Sequence, residues 1–275
     1  MINVRIMKVR NILNRMVAFM LLAIDAGNTN IVFGIYDKDE LLYTFRTETY
    51  KSCDAGKKYE EILPGMFGDF ENRIDAAVMS SVVPSVNNVI SSFVEEKFGC
   101  SVLFVSSKTE NGIKIKSDKP EVVGADLICA AAEAYLKYKT SVIVFDLGTA
   151  ATVTAIDKQG NFLGTSISPG LNISMKALAD AASLLTEINL NEPDISVIGK
   201  NTADSIRSGI VIGAACFIDG MTERYKNILG EESHVIITGG LSTLVLPYCM
   251  TSPEYIENLV LDGIKDIYYL NRSGK

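Results

Sequence analysis

The sequence has very little histidine, and its few cysteines are scattered. His234 is the only histidine, which excludes zinc sites that need several histidine ligands; we expect it to be an ordinary strand-entry residue. The five cysteines include no C-x-x-C pair, a pattern more typical of a reducing cytosol than of a disulfide-linked secreted domain. We therefore expect a cytoplasmic protein.

The chain also lacks an excess of basic residues and a long apolar run. Its net charge of −7 argues against a nucleic-acid surface, which needs a basic face. Residues 17–24 are apolar and follow several basic residues, but they lead straight into Asp25 with no cleavage site and are too few to cross a bilayer. We interpret them as the first core strand and expect no membrane segment. Residues 1–19 are then an N-terminal extension, disordered or translated from an upstream start, with the true start at Met20.

Three common motifs of nucleotide-binding and hydrolytic enzymes are absent as well. The sequence contains no G-x-x-x-x-G-K-[ST] loop, no G-x-G-x-x-G after a strand and no G-x-S-x-G elbow. P-loop and Rossmann folds are therefore disfavoured.

What the sequence does contain is one pattern twice. Residues 25–29 read Asp-Ala-Gly-Asn-Thr, and residues 146–150 read Asp-Leu-Gly-Thr-Ala. Each segment follows an apolar run and precedes a second, largely apolar run that ends in Asp-Lys. A strand that leads through an Asp and a glycine turn into another strand is typical of a β-hairpin with a polar loop. The repetition predicts two similar half-molecules.

These loops have the chemistry to bind a metal-bound polyphosphate. Gly27 and Gly148 allow a ligand close to the backbone, and Asp25 and Asp146 offer hard oxygen ligands to a cation. The glycine pair in residues 238–240 follows a third apolar strand. The alternative is ordinary turn chemistry, which uses the same residues; the duplication favours phosphate binding. The candidate donors to phosphate oxygens are Asn28, Thr29, Thr149 and Thr152.

Asp126 stands at the start of an otherwise apolar helix predicted over residues 124–138. Its carboxylate could simply favour the helix N-terminus. It could instead accept a proton from a substrate hydroxyl, and a weak base is sufficient for that in phosphoryl transfer.

The order of predicted elements indicates an α/β fold with mixed sheets, in two halves at residues 20–138 and 139–275. Each half opens with three consecutive strands, in residues 20–47 and 141–168. The predicted helices lie at residues 57–67, 84–94, 124–138, 170–182, 202–229 and 254–270.

In these motifs the chain resembles the type III pantothenate kinases of the acetate kinase–hexokinase–actin superfamily. The resemblance covers residues 20–271 and rests on D-x-G-N-T at residues 25–29 and D-x-G-T-A-x-T at residues 146–152, with Gly-Lys-Asn-Thr at residues 199–202 and Thr-Gly-Gly at residues 238–240. It implies duplicated ribonuclease-H-like domains with a nucleotide cleft between them, and a homodimer that phosphorylates pantothenate with ATP.

The resemblance also implies roles for individual residues. Asp126 would be the catalytic proton acceptor, Asp146 would bind the activating K⁺ or NH₄⁺, and Asp25 would hold Mg²⁺ through phosphate or water. The implied ATP-binding residues are Asp25, Gly27, Asn28, Thr29, Asn30, Gly148, Thr149, Gly239 and Gly240. The implied substrate-binding residues are Gly124, Ala125, Asp126, Leu127 and Thr202.

Four positions depart from the family's pattern. Leu127 replaces an arginine, Ser117 a tyrosine, Thr154 an acid, and Thr165 the second glycine of a pair. Since pantothenate is a carboxylate, an arginine replaced by leucine would remove a bidentate partner. Two alternatives therefore stay open: a paralogue that phosphorylates another small alcohol, and a non-catalytic nucleotide-binding regulator that acts through protein partners.

Overall fold

The computed structural model describes residues 19–52, 54–182 and 184–272. Within these ranges the chain divides into two compact units. The first contains residues 19–112, Lys119–Glu133 and 260–272, and the second contains Ile113–Asp118 and Ala134–Leu259. The chain passes from one unit to the other several times, a feature that the single predicted boundary after residue 138 does not describe. The predicted N-terminal extension lies outside the described residues except for Phe19.

A five-stranded mixed sheet forms the centre of the first unit. Its strands, in spatial order β3-β2-β1-β4-β5, start with three antiparallel strands, and β4 and β5 run parallel to β1. Residues 20–24 of β1 are buried, as predicted for a core strand. The strands are β1 (Met20–Ala26), β2 (Asn30–Asp37), β3 (Glu40–Glu48), β4 (Ala76–Ser81) and β5 (Val102–Phe104).

Four helices belong wholly or partly to the first unit: α1 (Ala55–Ile62), α2 (Pro84–Phe98), α3 (Ala125–Tyr138) and α8 (Leu259–Arg272). Helix α2 begins at the predicted proline. Helix α1 was predicted to reach residue 67, and this is wrong: the helix ends at Ile62, because Pro64 has no N–H with which to continue the helical hydrogen bonds. Helices α3 and α8 pack so tightly that a side chain at Gly263 would overlap the backbone of Cys129.

The second unit repeats the strand order of the first. Its sheet runs β11-β10-β7-β8-β9-β6, so the first five strands have the directions and neighbours of β5-β4-β1-β2-β3. The predicted duplication of mixed sheets is therefore confirmed, and β6 is an additional edge strand. The strands are β6 (Lys114–Ile115), β7 (Val142–Leu147), β8 (Ala150–Ile156), β9 (Asn161–Pro169), β10 (His234–Thr238) and β11 (Glu254–Tyr255).

The helices of the second unit correct two predictions. The helix predicted over residues 202–229 is divided into α5 (Thr202–Arg207) and α6 (Gly213–Leu229) by a π turn at Ser208–Ile212. The helix predicted from residue 254 begins at Leu259, because residues 254 and 255 pair with β10 instead. The other helices are α4 (Leu171–Ala181) and the short α7 (Ser242–Val245). Within the described ranges, no helix has both the length and the apolar composition needed to span a bilayer.

Candidate active site

The first hairpin loop, residues 27–30, connects β1 to β2. The last paired residues are Ala26 and Ile31, and the Gly27 N–H donates to the Asn30 carbonyl at 3.0 Å. Asp25 lies one residue before the end of β1, where it faces Val32 across the ladder. The exposed tip of this loop consists of Asn28 and Thr29.

The segment that follows β3 holds this loop in place. The Thr49 hydroxyl donates to the Gly27 carbonyl at 2.7 Å, and the Thr49 N–H donates to the Thr29 carbonyl at 2.9 Å. Two residues further on, Lys51 Nζ donates to Asn28 Oδ1 at 2.9 Å. The loop is thus fixed through both its backbone and one of its side chains.

The second hairpin loop, residues 148–150, connects β7 to β8 and is one residue shorter. Leu147 pairs with Ala151, and the Gly148 N–H donates to the Ala150 carbonyl at 3.0 Å. Asp146 faces Thr152, just as its counterpart in the first unit faces a residue of β2. Gly148 and Thr149 are exposed.

Two further glycines enclose the second loop, and each allows a close backbone approach. Gly239 follows β10 with a φ of +97°, and a Cβ there would lie 2.5 Å from Asp146 Oδ1. Its neighbour Gly240 meets open space. A Cβ at Gly170 would overlap the backbone of the loop, and the Gly170 N–H donates to the Thr149 carbonyl at 3.2 Å. Gly170 is not among the predicted site residues, although its position directly after Pro169 is a turn signal.

Asp126 lies in the first turn of α3, and it depends on the glycine two residues earlier. A Cβ at Gly124 would come within 2.5 Å of Asp126 Oδ1, so only glycine leaves the carboxylate in this position without displacement. The Leu127 N–H donates to the same oxygen at 2.8 Å. Burial raises the pKa of Asp126, while backbone hydrogen bonds oppose the shift.

Within the first unit, Asp25 and Asp126 both lie close enough to Cys129 for their charges to affect the pKa of its thiol. Burial chiefly, and then the charges of Asp25 and Asp126, raise the pKa of the Cys129 thiol well above its usual value. Cys129 is one helical turn after Asp126 and is fully buried. The structure therefore brings together a carboxylate from β1 and a carboxylate from α3, which are 101 positions apart by residue number (126 − 25).

The carboxylate of Asp25 is a possible metal ligand. Over the residues described, no three His, Cys, Asp or Glu side chains group in a way that could hold a metal ion. A carboxylate oxygen is a ligand that Mg²⁺ accepts, since Mg²⁺ usually keeps its waters and takes one or two carboxylates besides phosphate oxygens.

Thr202, a predicted substrate contact, lies in the second unit. It opens α5 and is exposed, and the side chain of the preceding Asn201 caps the helix by accepting from the Asp204 N–H at 2.9 Å. Its role toward a substrate stays a prediction.

Comparison with known proteins identifies the family. A family model described as type III pantothenate kinase matches residues 21–224. The type III pantothenate kinase of Citrifermentans bemidjiense is 38% identical over 256 residues, which cover 92% of this chain and 100% of that protein. That of Geobacter sulfurreducens is 37% identical over 256 residues, with coverage of 92% and 100%. The chain belongs to the type III pantothenate kinase family.

Solved structures of other proteins share this fold. One is a ROK family glucokinase from Streptomyces griseus in complex with glucose and AMPPNP, with a TM-score of 0.51, 14% identity and coverage of 93% of this chain and 100% of that one. Another, from Campylobacter jejuni, is described as a Baf family transcriptional activator, with a TM-score of 0.57, 17% identity and coverage of 92% and 99%. At these identities the likeness shows the fold alone.

Two of the departures from the type III pantothenate kinase pattern contact each other. Thr154 in β8 and Thr165 in β9 are cross-strand partners, and their hydroxyls lie 2.8 Å apart. Thr154 is buried, so its hydroxyl needs this partner. Thr154 and Thr165 thus form a hydrogen-bonded pair across the two strands.

Proposed function

We propose that this protein phosphorylates the primary hydroxyl of pantothenate with ATP, giving 4'-phosphopantothenate in the first step of coenzyme A biosynthesis. Support comes from its family membership, which extends over nearly the whole chain. One structural observation carries the chemistry: a partly buried Asp126, with a raised pKa, opens a helix beside a glycine that leaves its carboxylate room.

Asp126 acts as the proton acceptor in this proposal. It takes the hydroxyl proton as the substrate oxygen forms a bond to the γ-phosphorus, and the bond from that phosphorus to the bridging oxygen of ADP breaks. A pKa raised by burial brings the carboxyl nearer to the operating pH, where general bases are most effective. Gly124, Ala125, Leu127 and Thr202 are the proposed substrate contacts.

The hairpin loops carry the proposed phosphate contacts. Backbone N–H groups and hydroxyls donate to phosphate oxygens, and the glycines allow the polyphosphate close to the backbone. Asp25 would hold Mg²⁺ through phosphate or water, and the chemistry supplied there would be neutralisation of phosphate charge. Asp146, partly exposed beside Gly239, offers its carboxylate to K⁺ or NH₄⁺. We further propose a homodimer, as the family resemblance implies, and a cytoplasmic location, as the scattered cysteines indicate.

An ADP-release assay with pantothenate, Mg²⁺ and K⁺ tests the proposal. We expect turnover by the wild-type chain, and a loss of about 10²- to 10⁴-fold in kcat for Asp126→Asn, because the amide cannot accept the proton. Binding of an ATP analogue should survive in this variant. The absence of turnover by correctly folded wild-type protein at high pantothenate would reject the proposed substrate.

A second candidate substrate is favoured by Leu127. This side chain follows the proposed base directly and offers no charge to a substrate carboxylate, so an alcohol without a carboxylate would lose less affinity here. Pantetheine and related alcohols should be screened beside pantothenate. If the carboxylate matters, Leu127→Arg should raise pantothenate turnover relative to pantetheine. Unchanged relative rates would show that Leu127 does not determine specificity.

A further inference from the structure

Lys51 contacts the first hairpin loop with its charged group, and neither the motifs nor the family resemblance given above assigns it a role. Its ammonium donates to Asn28 Oδ1 at 2.9 Å, and its side chain is otherwise exposed. An ammonium group has three donor hydrogens, so this contact leaves two that can reach another acceptor.

The contact fixes which way the Asn28 carboxamide points. A lysine can only donate, so the carboxamide atom that faces it must be the oxygen. The NH₂ group of Asn28 therefore points away from Lys51, with both of its donor hydrogens available at the exposed tip of the loop. Lys51 and Asn28 together offer several donor hydrogens there, a combination suited to an anion.

The backbone that leads into Lys51 is anchored by the two residues that precede it. Thr49 is bonded to the loop through its N–H and its hydroxyl, and the Tyr50 N–H donates to the hydroxyl of the fully buried Tyr59 at 2.8 Å. The ammonium of Lys58 lies 4.1 Å from the centre of the Tyr50 ring. A lysine on a fixed backbone loses less conformational entropy on binding than one on a free loop.

The negative charge expected at this site favours a cation beside the loop. A nucleoside triphosphate brings several negative charges to a unit whose candidate site already contains Asp25 and Asp126, in a chain of net charge −7. A cation near the loop offsets this repulsion, and lysine serves phosphate as a point charge.

We infer that Lys51 is a phosphate-binding residue of the nucleoside triphosphate site, which contacts a terminal phosphate directly and orients the Asn28 carboxamide toward the same group. The inference rests on the proposed function, because it assumes that the first hairpin loop binds ATP phosphates.

Binding of Mg²⁺–AMPPNP and of AMP to the full chain, measured by calorimetry, tests the inference. We expect Lys51→Met to weaken AMPPNP binding about tenfold or more, since hydrogen bonds to charged groups are worth that much, and to change AMP binding less than about twofold. Lys51→Arg should retain most of the affinity. In the kinase assay, Lys51→Met should raise KM for ATP more than it lowers kcat.

Lys58→Met is the matched control, because it removes the same charge from a neighbouring position whose ammonium lies over a ring instead of the loop. The orienting role has its own test: the effects of Lys51→Met and Asn28→Ala should be less than additive in the double variant. Unfolding midpoints of the variants within about 2 °C of wild type establish that the fold is intact.

The outcomes separate the two claims. Wild-type protein that binds no AMPPNP overturns both the proposed function and the inference. Wild-type protein that binds AMPPNP, with Lys51→Met indistinguishable from Lys58→Met, overturns the inference alone. Equal losses for AMPPNP and AMP would also overturn it, because a terminal phosphate would then not be the group recognised.

Discussion

The two hairpin loops begin from nearly the same residues and are held by different means. The first loop has four residues and is held by the side chains of Thr49 and Lys51, together with the Thr49 N–H. The second has three residues and is enclosed by backbone, at Gly170 and Gly239. The same strand order can therefore present two hairpin loops that differ in their tolerance of substitution. The first loop depends on hydrogen-bonding partners, and the second depends on the absence of side chains at its neighbouring glycines.

The two units also differ in the acid–base behaviour of their carboxyl groups. In the first unit, burial chiefly and then a hydrogen bond with Asp266 raise the pKa of Glu133 to about 8. In the second unit, hydrogen bonds from Asn161 and Gln159 lower the pKa of Asp157, although burial opposes them. Folding thus favours the protonated form of Glu133 in the first unit and the charged form of Asp157 in the second.

The largest expected effect comes from Gly239→Ala. The new Cβ would clash with Asp146 Oδ1 and would stand on a backbone with a φ of +97°. We expect the free energy of unfolding to fall by about 3 kcal/mol in urea titrations. Gly240→Ala, where a Cβ meets open space, is the control and should cost about 1 kcal/mol or less. Gly27→Ala in the first loop should also cost less than Gly239→Ala; an equal cost would break the comparison of the loops.

A smaller effect is expected from Glu133→Gln, and it depends on pH. The folded-state pKa of Glu133 is raised from 4.5 to about 8, so the folded state binds more protons than the unfolded state in this window. The contribution of Glu133 to stability is therefore fully present below pH 4.5, and it is lost as the pH rises through about 8. Asp262 and Lys265 also act on Glu133, the first raising its pKa and the second lowering it.

Urea titrations at pH 5 and pH 9 measure this effect. Glu133→Gln should remove about 2 kcal/mol of the wild-type loss between these pH values, less than the full linkage value because the side chain is partly exposed. Asp157→Asn is the comparison in the second unit and has the opposite sign: its effect should be present at neutral pH and vanish as pH falls through the lowered pKa. If Glu133→Gln kept the wild-type dependence of stability on pH, the raised pKa of Glu133 would be contradicted.

The smallest expected effect is that of Thr49→Val. Valine has nearly the same shape, but it removes the 2.7 Å hydrogen bond to the Gly27 carbonyl. We expect a loss of about 1 kcal/mol in stability, together with a few-fold weaker binding of AMPPNP, because the first loop would lose one of its side-chain supports. Thr44→Val, in the same strand region, serves as a control. Unchanged AMPPNP affinity would show that the backbone bond from Thr49 to Thr29 is sufficient to hold the loop.

Much of the fold followed from local sequence patterns. Alternating apolar residues and the Asp-x-Gly turns predicted both hairpins, and Pro84 predicted the start of α2, because strand period, turn chemistry and proline geometry act within a few residues. The edges of elements were predicted less well. Residues 254 and 255 looked helical, but the open edge of β10 needs hydrogen-bonding partners, and that need is visible only once the sheet exists.

The candidate site divides in the same way. The sequence by itself determined the strands, the turns, the repeated Asp-x-Gly loops and the identity of Asp126 as a candidate, since each depends on residues that are close in the chain. Only the tertiary structure decided that Lys51 contacts Asn28, that Gly239 adjoins Asp146 and that Asp25 and Asp126 act on one thiol. These are contacts between distant residues, which depend on strand order and helix packing and leave no periodic signal in the sequence.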